Sequence, residues 1–380
     1  MTEAKRLALP PVAVAGQSVS TVSTPALLIE LDAFERNLYE MAMLATSAGV
    51  ALRPHAKAHK SLAVAQRQVA AGAAGICCQK LSEAYPFAAG GIESIHVSNQ
   101  FAGADKAAMA AELAGHVRLS VCVDDVRQVR EIGEAARQAG VRIDVLPEVD
   151  VGQGRCGVGN ADDLMALADA IAAEPALRFG GLQGYHGGAQ HVSAWDDRRE
   201  VARRAAEITA GYLRHLEARG LRCEVVTGGG TGTAEFDLES GVYTEIQPGS
   251  YLFLDAHYGS LEWRGKVQLR HSLFIAATVM STARAGVAVC DVGLKTVSVD
   301  SGLPQVWAQR APDGLRYLAA NDEHGVMEAL QGDSRALLGE KLWLVPGHCD
   351  PTVNLYDHYV CVRGEQVEGV WAIEGRGLSR

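Results

Sequence analysis

Eight short apolar runs, at residues 50–55, 75–79, 94–99, 117–124, 142–149, 178–186, 222–228 and 245–254, alternate along the chain with helix-like segments such as 103–114, 126–139, 161–173 and 195–219. This alternation constrains the fold more than any other feature. The runs are apolar throughout rather than at every second position, as expected of parallel strands covered on both faces, so eight strands alternating with helices predict a (β/α)8 TIM barrel. An earlier helix is expected from Asp32, where Asp32 and Glu35 make a capping-box-like start, Phe34, Leu38, Met41 and Ala45 share one face, and Gly49 closes the element.

After about residue 260 the texture changes. The stretches "KVQLRHSLFIAATVMST", "VAVCDVGLKTVSVD" and "DHYVCVRGEQVEGVWAIEG" are β-rich, with turn residues between them and little helical periodicity. A chain of 380 residues favours two domains. The expected division is a barrel over 24–258 and a mostly β domain over 259–380. The strand "TPALLIEL", within residues 1–31, could pair with either part.

Hydrophobic residues make up 48% and charged residues 21%, as in folded globular proteins. A net charge of −10 with no basic run interleaved with aromatics excludes nucleic acid and anionic membranes as expected partners and leaves small molecules. The N-terminal "MTEAKRLALPPVAVAGQ" lacks an uninterrupted apolar core, and nowhere do eighteen apolar residues run together, so a cytoplasmic location is expected. The eight cysteines have no C-x-x-C spacing and sit mostly in apolar segments, among them Cys77, Cys78, Cys122, Cys290 and Cys361; they read as reduced core thiols.

Barrel enzymes work at the C-terminal ends of their strands, so candidate functional groups are expected there. Strand one ends in His55, Lys57, His59 and Lys60, strand two in Gln79, strand three in Asn99, and strand five in "DVGQGRCG" with Arg155. Strand six brings Tyr185, His186 and His191; strand seven ends in "TGGGTGT", and strand eight carries "PGSY". Glycine- and serine-bearing turns after strands seven and eight occupy the usual phosphate position of such barrels, where backbone N–H groups converge on an anion. A plain tight turn is the alternative for "GGGTG", and its placement after strand seven favours the anion. "GQGRCG" matches G-x-G-x-x-G, but that fingerprint belongs to the first strand and helix of a βαβ unit, and here it falls on the fifth strand.

His55 and His59 stand at i, i+4, a metal-ligand spacing only on a helix, whereas Pro54 and the preceding apolar run argue for a strand leaving into a loop. Lysines at the end of the first strand are expected to point into the cleft. A lysine there supplies an amine for a Schiff base, its pKa lowered by burial and neighbouring cations. With the phosphate turns, this predicts pyridoxal 5'-phosphate (PLP).

"RPHAKAHK", "GICCQK", "EVDVGQGRCGV", "GYHGGAQH", "TGGGTGT", "QPGSYLFLD", "NDEHGV" and "PGHCDPTVNLYD", in this order from about residue 24 to the C-terminus, resemble the D-threonine aldolase family of alanine racemase-like, fold type III PLP enzymes. The resemblance implies that Lys57, rather than Lys60, carries the Schiff base. It places Gln79, Arg155 and Tyr185 around the cofactor ring and Gly229, Gly230, Thr231, Gly232, Gly249 and Ser250 around its phosphate. It also implies a homodimer with each barrel mouth closed by the partner's C-terminal domain.

In "PGHCDPT", an extended chain would put His348 and Asp350 on one side and Cys349 on the other. Without the resemblance this reads as a loop with a capping Asp before Pro351; the family's His-x-Asp or His-x-Cys pattern makes His348 and Asp350 a metal pair. Asp350, where dehydratase relatives resemble a His-x-Cys pattern, is a hard donor suited to Mn²⁺, with Mg²⁺ or Co²⁺ also accepted. His191 is either a rim histidine bonded to a carbonyl or a general base near the metal; its match to the family's Y-x-G-x-x-Q-H favours the base. His186 and His59 read as supporting groups, and Asp322, Glu323 and His324 receive no role. The expected activity is a metal- and PLP-dependent lyase cleaving D-threonine and other D-3-hydroxy amino acids to glycine and an aldehyde. The alternatives are a 3-hydroxy-D-aspartate aldolase, a dehydratase such as D-serine dehydratase, a racemase, or a noncatalytic PLP carrier.

Overall fold

The computed structural model describes residues 9–329 and 334–380; the first eight residues of the N-terminal stretch read above lie outside the described residues. Strand β1 (Ala26–Glu30) leads directly into helix α1 (Leu31–Ser47). That helix begins one residue before the expected start, because Glu30, not Asp32, caps it: its carboxylate accepts from Ala33 N at 2.8 Å. Asp32 and Glu35 instead meet Arg363 of the β-rich part.

The barrel follows: β2 (Ala51–Leu52), β3 (Ile76–Cys78), β4 (Ser94–Val97), β5 (Arg118–Val123), β6 (Ile143–Pro147), β7 (Leu177–Phe179), β8 (Gly181–Gly184), β9 (Val225–Gly228) and β10 (Glu245–Ile246), all paired in parallel. Strands β7 and β8 are one barrel position broken at Gly180: β7 continues the sheet of β3 to β6, while β8 pairs with β9. Gly181 makes the switch possible, since a Cβ there would sit 1.8 Å from the Val225 carbonyl oxygen at φ 142°. Single bridges from His55 to Cys77 and from Glu148 to Gln183 close the ring.

The interior of this barrel is polar. Arg53 Nε pairs with Glu245 at 2.8 Å, Glu245 accepts from Thr227 at 2.9 Å, Thr227 Oγ1 accepts from Gln247 at 2.8 Å, and Gln247 also donates to Gln183 at 3.2 Å. Gln183 bonds His96 at 3.0 Å, and His96 bonds Ser120 at 2.8 Å. The strands are therefore apolar toward the helices, where Ile76, Val121, Val145 and Leu182 pack with Val129, Ile132, Leu164 and Leu167, and partly polar toward the axis.

The β-rich part is built on β1, which lies between antiparallel β11 (Leu273–Ser281) and parallel β12 (His358–Arg363). One apolar cluster runs from Leu52, Ile246, Leu252 and Phe253 of the barrel through Phe34 of α1 to Ile275, Leu344 and Tyr359 of the β sheet. The two parts thus share a core, which holds the β sheet against the barrel rim. All eight cysteines are unpaired, and among the described residues no helix is long and apolar enough to cross a membrane.

Glu245→Gln leaves the partly buried Arg53 guanidinium without a counter-charge. It should lower folding stability by ~3–5 kcal/mol, measured by denaturant unfolding.

Candidate active site

A cavity of about 580 Å³, including its open mouth, sits at the C-terminal ends of the barrel strands. Its wall includes Lys57, Gln79, Arg155, Tyr185, Gly230, Thr231, Gly249 and Ser250, all named from the sequence, together with His55, Ser98, Gln183, Gln247 and Tyr258. Gly229 and Gly232, also named from the sequence, are not among the wall residues.

After β2 the chain turns through a short 3-10 segment, Ala56–Ala58, whose preceding residue His55 accepts from Lys57 N at 3.4 Å. The other nitrogen of His55 meets Gln79 at 3.1 Å and Ser98 at 3.0 Å. Burial, reinforced by the Lys57 charge, pushes the pKa of His55 down to about 3, so this imidazole is neutral. Lys60 is buried and pairs with Glu83 Oε1 and Asn354 Oδ1, both at 3.0 Å. Lys57 turns into the cavity and pairs with Asp350, which is 293 residues away in sequence. The expectation that burial would lower the Lys57 pKa fails: burial acts in that direction, but Asp350 outweighs it and holds the ammonium above its ordinary value.

The glycine turn after β9 is scaffolded from below. Gln190 donates to Thr233 Oγ1 at 2.9 Å and accepts from Gly232 N at 2.8 Å, and Thr233 donates to Asp237 at 2.6 Å. Gly229 has φ 70°, and a Cβ there would lie 2.5 Å from Asp237 Oδ2; a Cβ on Gly230 would lie 2.7 Å from Gln190. Thr231 Oγ1 is buried on the cavity wall without a hydrogen-bond partner. An unpaired buried hydroxyl is costly, so it calls for a polar group from an occupant. Arg155 lies 5.5 Å from the Tyr185 ring centroid. An amine, an unpaired hydroxyl, glycine turns and a guanidinium around one cavity fit PLP.

The "PGHCDPT" stretch departs from the extended form expected for it. His348 is extended, but Cys349–Val353 forms a short helix, α10, because Asp255 accepts from Cys349 N at 2.8 Å and Pro351 lies in a first turn that needs no N–H. Burial opposes the charge of Asp350, yet Lys57 and then His348 outweigh it, and its pKa falls to about 2. His348 Nδ1 meets Asp300 at 2.7 Å. Partial burial works against the charge on Asp300, but the Ser298 hydroxyl and His348 hold its pKa below the ordinary value. A charged carboxylate only accepts, so Nδ1 of His348 donates in this bond, which in the neutral imidazole leaves the lone pair on Nε2. Among the described residues no three His, Cys, Asp or Glu side chains form a complete ligand set. Two protein donors fit a hard divalent ion whose other positions are filled by water and substrate.

His191 is exposed and bonds His257, with Nδ1 to Nε2 at 2.9 Å. Desolvation, then the charges of His257 and His348, lower its pKa. His186 accepts from Ala189 N at 3.0 Å, and His59 accepts from Ser61 N at 3.1 Å. Asn99 lines a separate groove, and Glu323 pairs with Lys295 on the surface. Sequence reasoning missed His257, Asp255 and Asp300. The first two follow "PGSYLFL" directly, so the end of the last barrel strand carried a signal; Asp300, in "VSVDSG", carried none.

Residues 29–257 match the sequence model of the alanine racemase N-terminal domain, and residues 272–362 match that of a serine dehydratase domain. A D-threonine aldolase from Arthrobacter sp. is 49% identical, covering 98% of each chain. A 3-hydroxy-D-aspartate aldolase from Paracoccus denitrificans is 42% identical, over 96% of this chain and 95% of that one. The solved D-threonine aldolase from Filomicrobium marinum superposes with a TM-score of 0.94 at 45% identity, covering 97% of this chain and 100% of that one. The fold and site define a member of the alanine racemase-like class. Within that class, the chain belongs to the D-threonine aldolase family of carbon–carbon lyases.

Burial raises the pKa of Asp237 from 3.8 to about 7, despite its bond to Thr233. Below 3.8 both folded and unfolded chains hold this proton; as pH climbs toward 7 only the folded chain does, so stability falls across that window. Melting temperatures measured across it should drop less in Asp237→Asn than in the parent, and parallel curves would refute the shift.

Proposed function

We propose that this chain is a PLP- and divalent-metal-dependent aldolase that cleaves D-threonine and other D-3-hydroxy amino acids to glycine and an aldehyde. One observation carries this reading: the Lys57 amine in the cavity wall pairs with Asp350, which shares with His348 the short turn that follows the β sheet. The names of the similar proteins support it.

Lys57 would hold the aldehyde carbon of the cofactor. Thr231, Ser250 and the backbone at Gly230 and Gly249 would hold its phosphate, with Gln79, Arg155 and Tyr185 around the ring. The bound cofactor supplies an electron sink for the carbanion left when Cα–Cβ breaks. His348 Nε2 and Asp350 would hold the cation, Mn²⁺ first on ligand hardness and Mg²⁺ or Co²⁺ next, which supplies Lewis acidity toward the substrate hydroxyl. Asp300 fixes the His348 tautomer, as a carboxylate behind a metal-binding histidine does. His191 would take the hydroxyl proton at Nε2. Asp255 holds the turn bearing Asp350 against the rim, keeping the pair beside Lys57. A homodimer working in the cytoplasm completes the reading.

The second reading is an aldolase for 3-hydroxy-D-aspartate, favoured by the Paracoccus relative and yielding glyoxylate with glycine. A dehydratase would use the same residues to expel the hydroxyl. A racemase needs no metal pair, and a noncatalytic carrier needs neither His348 nor Asp350.

The test incubates the protein with PLP and Mn²⁺ and assays D-threonine, D-phenylserine and D-3-hydroxyaspartate. Aldehyde with glycine, abolished by EDTA and by Lys57→Ala, is the expected result. Formation of 2-oxoacid and ammonia instead would make the protein a dehydratase.

A further inference from the structure

The structure pairs the candidate base with a second imidazole that the proposed chemistry does not use. His191 Nδ1 and His257 Nε2 are 2.9 Å apart, and the ring centroids are 4.8 Å apart. This is hydrogen-bond distance, so one of the two nitrogens carries the proton and the other accepts it.

The two assignments differ in what they leave His191 able to do. If His257 donates, neutral His191 carries its own proton on Nε2 and cannot accept another there. If His191 donates, Nε2 keeps its lone pair and is free to take a proton. Only the second arrangement is compatible with His191 acting as a base through Nε2. We propose that His257 is a positioning residue: it accepts from His191 Nδ1–H and so fixes the ring and the tautomer in which His191 is a base. The inference rests on the reading of His191 as the base.

The local architecture supports an anchoring role. His257 lies in a short helix, Ala256–Gly259, separated from the last barrel strand by a 3-10 segment, Ser250–Leu252, and its turn is pinned at both ends. Asp255 accepts from Tyr258 N at 2.9 Å and from Cys349 N at 2.8 Å, Ala256 N donates to the Pro346 carbonyl at 2.9 Å, and His257 N donates to that of Gly347 at 3.3 Å. The segment that orients His191 is therefore fastened to the segment that carries Asp350. His191 is the exposed last residue of the rim segment Gly187–His191, and its ring has His257 as its one hydrogen-bond partner among the described residues. A histidine that must keep one tautomer is held by the bond made at its other nitrogen.

The experiment compares His257→Phe, which keeps a ring but cannot accept, with His257→Gln, whose amide reaches the position of Nε2. In the PLP- and Mn²⁺-loaded protein, His257→Phe should lower kcat by ~10–100-fold, the usual effect of losing such an orienting partner, with KM and PLP affinity unchanged. His257→Gln should restore most of that loss. Side-chain ¹⁵N NMR, with and without PLP, should find His191 protonated at Nδ1 in the parent and His257→Gln proteins and shifted toward the Nε2–H form in His257→Phe.

A parental kcat in His257→Phe, while His191→Gln is inactive, would overturn the inference and leave the base intact. Full activity in His191→Gln would overturn the base and the inference with it. An Nε2–H signal for His191 in the parent, or equal losses in both His257 variants with a lowered melting temperature, would show that His257 only scaffolds the rim.

Discussion

The site depends on the docking of one turn of the β sheet against the barrel rim. Asp255, at the end of the barrel, accepts from the backbone of Cys349, and the Tyr359 hydroxyl donates to the His59 carbonyl at 2.6 Å. Lys60 reaches Asn354, and Gly375 N donates to the Lys60 carbonyl at 2.8 Å. The Asp255–Cys349 contact spans 94 residues and the Tyr359–His59 and Lys60–Asn354 contacts 300 and 294, and several are buried or involve a charged partner. Hydrogen bonds to charged groups contribute about 1.5–3 kcal/mol each, enough in combination to fix the turn. Asp350 reaches Lys57 because this docking is rigid.

The polar barrel axis has a related consequence. Arg53, Glu245, Thr227, Gln247, Gln183 and His96 form a continuous hydrogen-bonded chain whose upper members, Gln183 and Gln247, are also in the cavity wall. Such a chain specifies geometry more sharply than apolar packing, since each member left unpaired carries a desolvation cost. The floor of the cavity is thus held by the interior of the barrel, and its rim by the β sheet.

The rim itself is linked across strands. Gln190, buried beneath the glycine turn, and His191, on the exposed edge, are adjacent residues of one short segment. The turn that fits a phosphate and the histidine that fits a base are therefore parts of one local structure. Asp237 lies under the same turn, where its burial leaves it half-protonated near neutral pH.

The barrel was legible in the sequence because strands buried on both faces leave continuous apolar runs, and the β-rich texture after residue 260 was legible for a similar reason. The amine and the glycine turns could be named because strand ends and turn residues mark position locally, whereas the His348/Asp350 pair was named only through the family resemblance. The sequence could not show that Glu30 caps α1, that Cys349–Val353 coils instead of extending, or that Asp350 holds the Lys57 ammonium in its charged form. Nor could it show the Asp300–His348 and His191–His257 bonds. Each of these depends on a partner distant in sequence or on a competition between burial and charge that has no local pattern. Chain periodicity determined the architecture and the types of chemistry available. The tertiary structure decided which groups meet and in which protonation state, because hydrogen-bond geometry and desolvation are set only when distant segments are packed together.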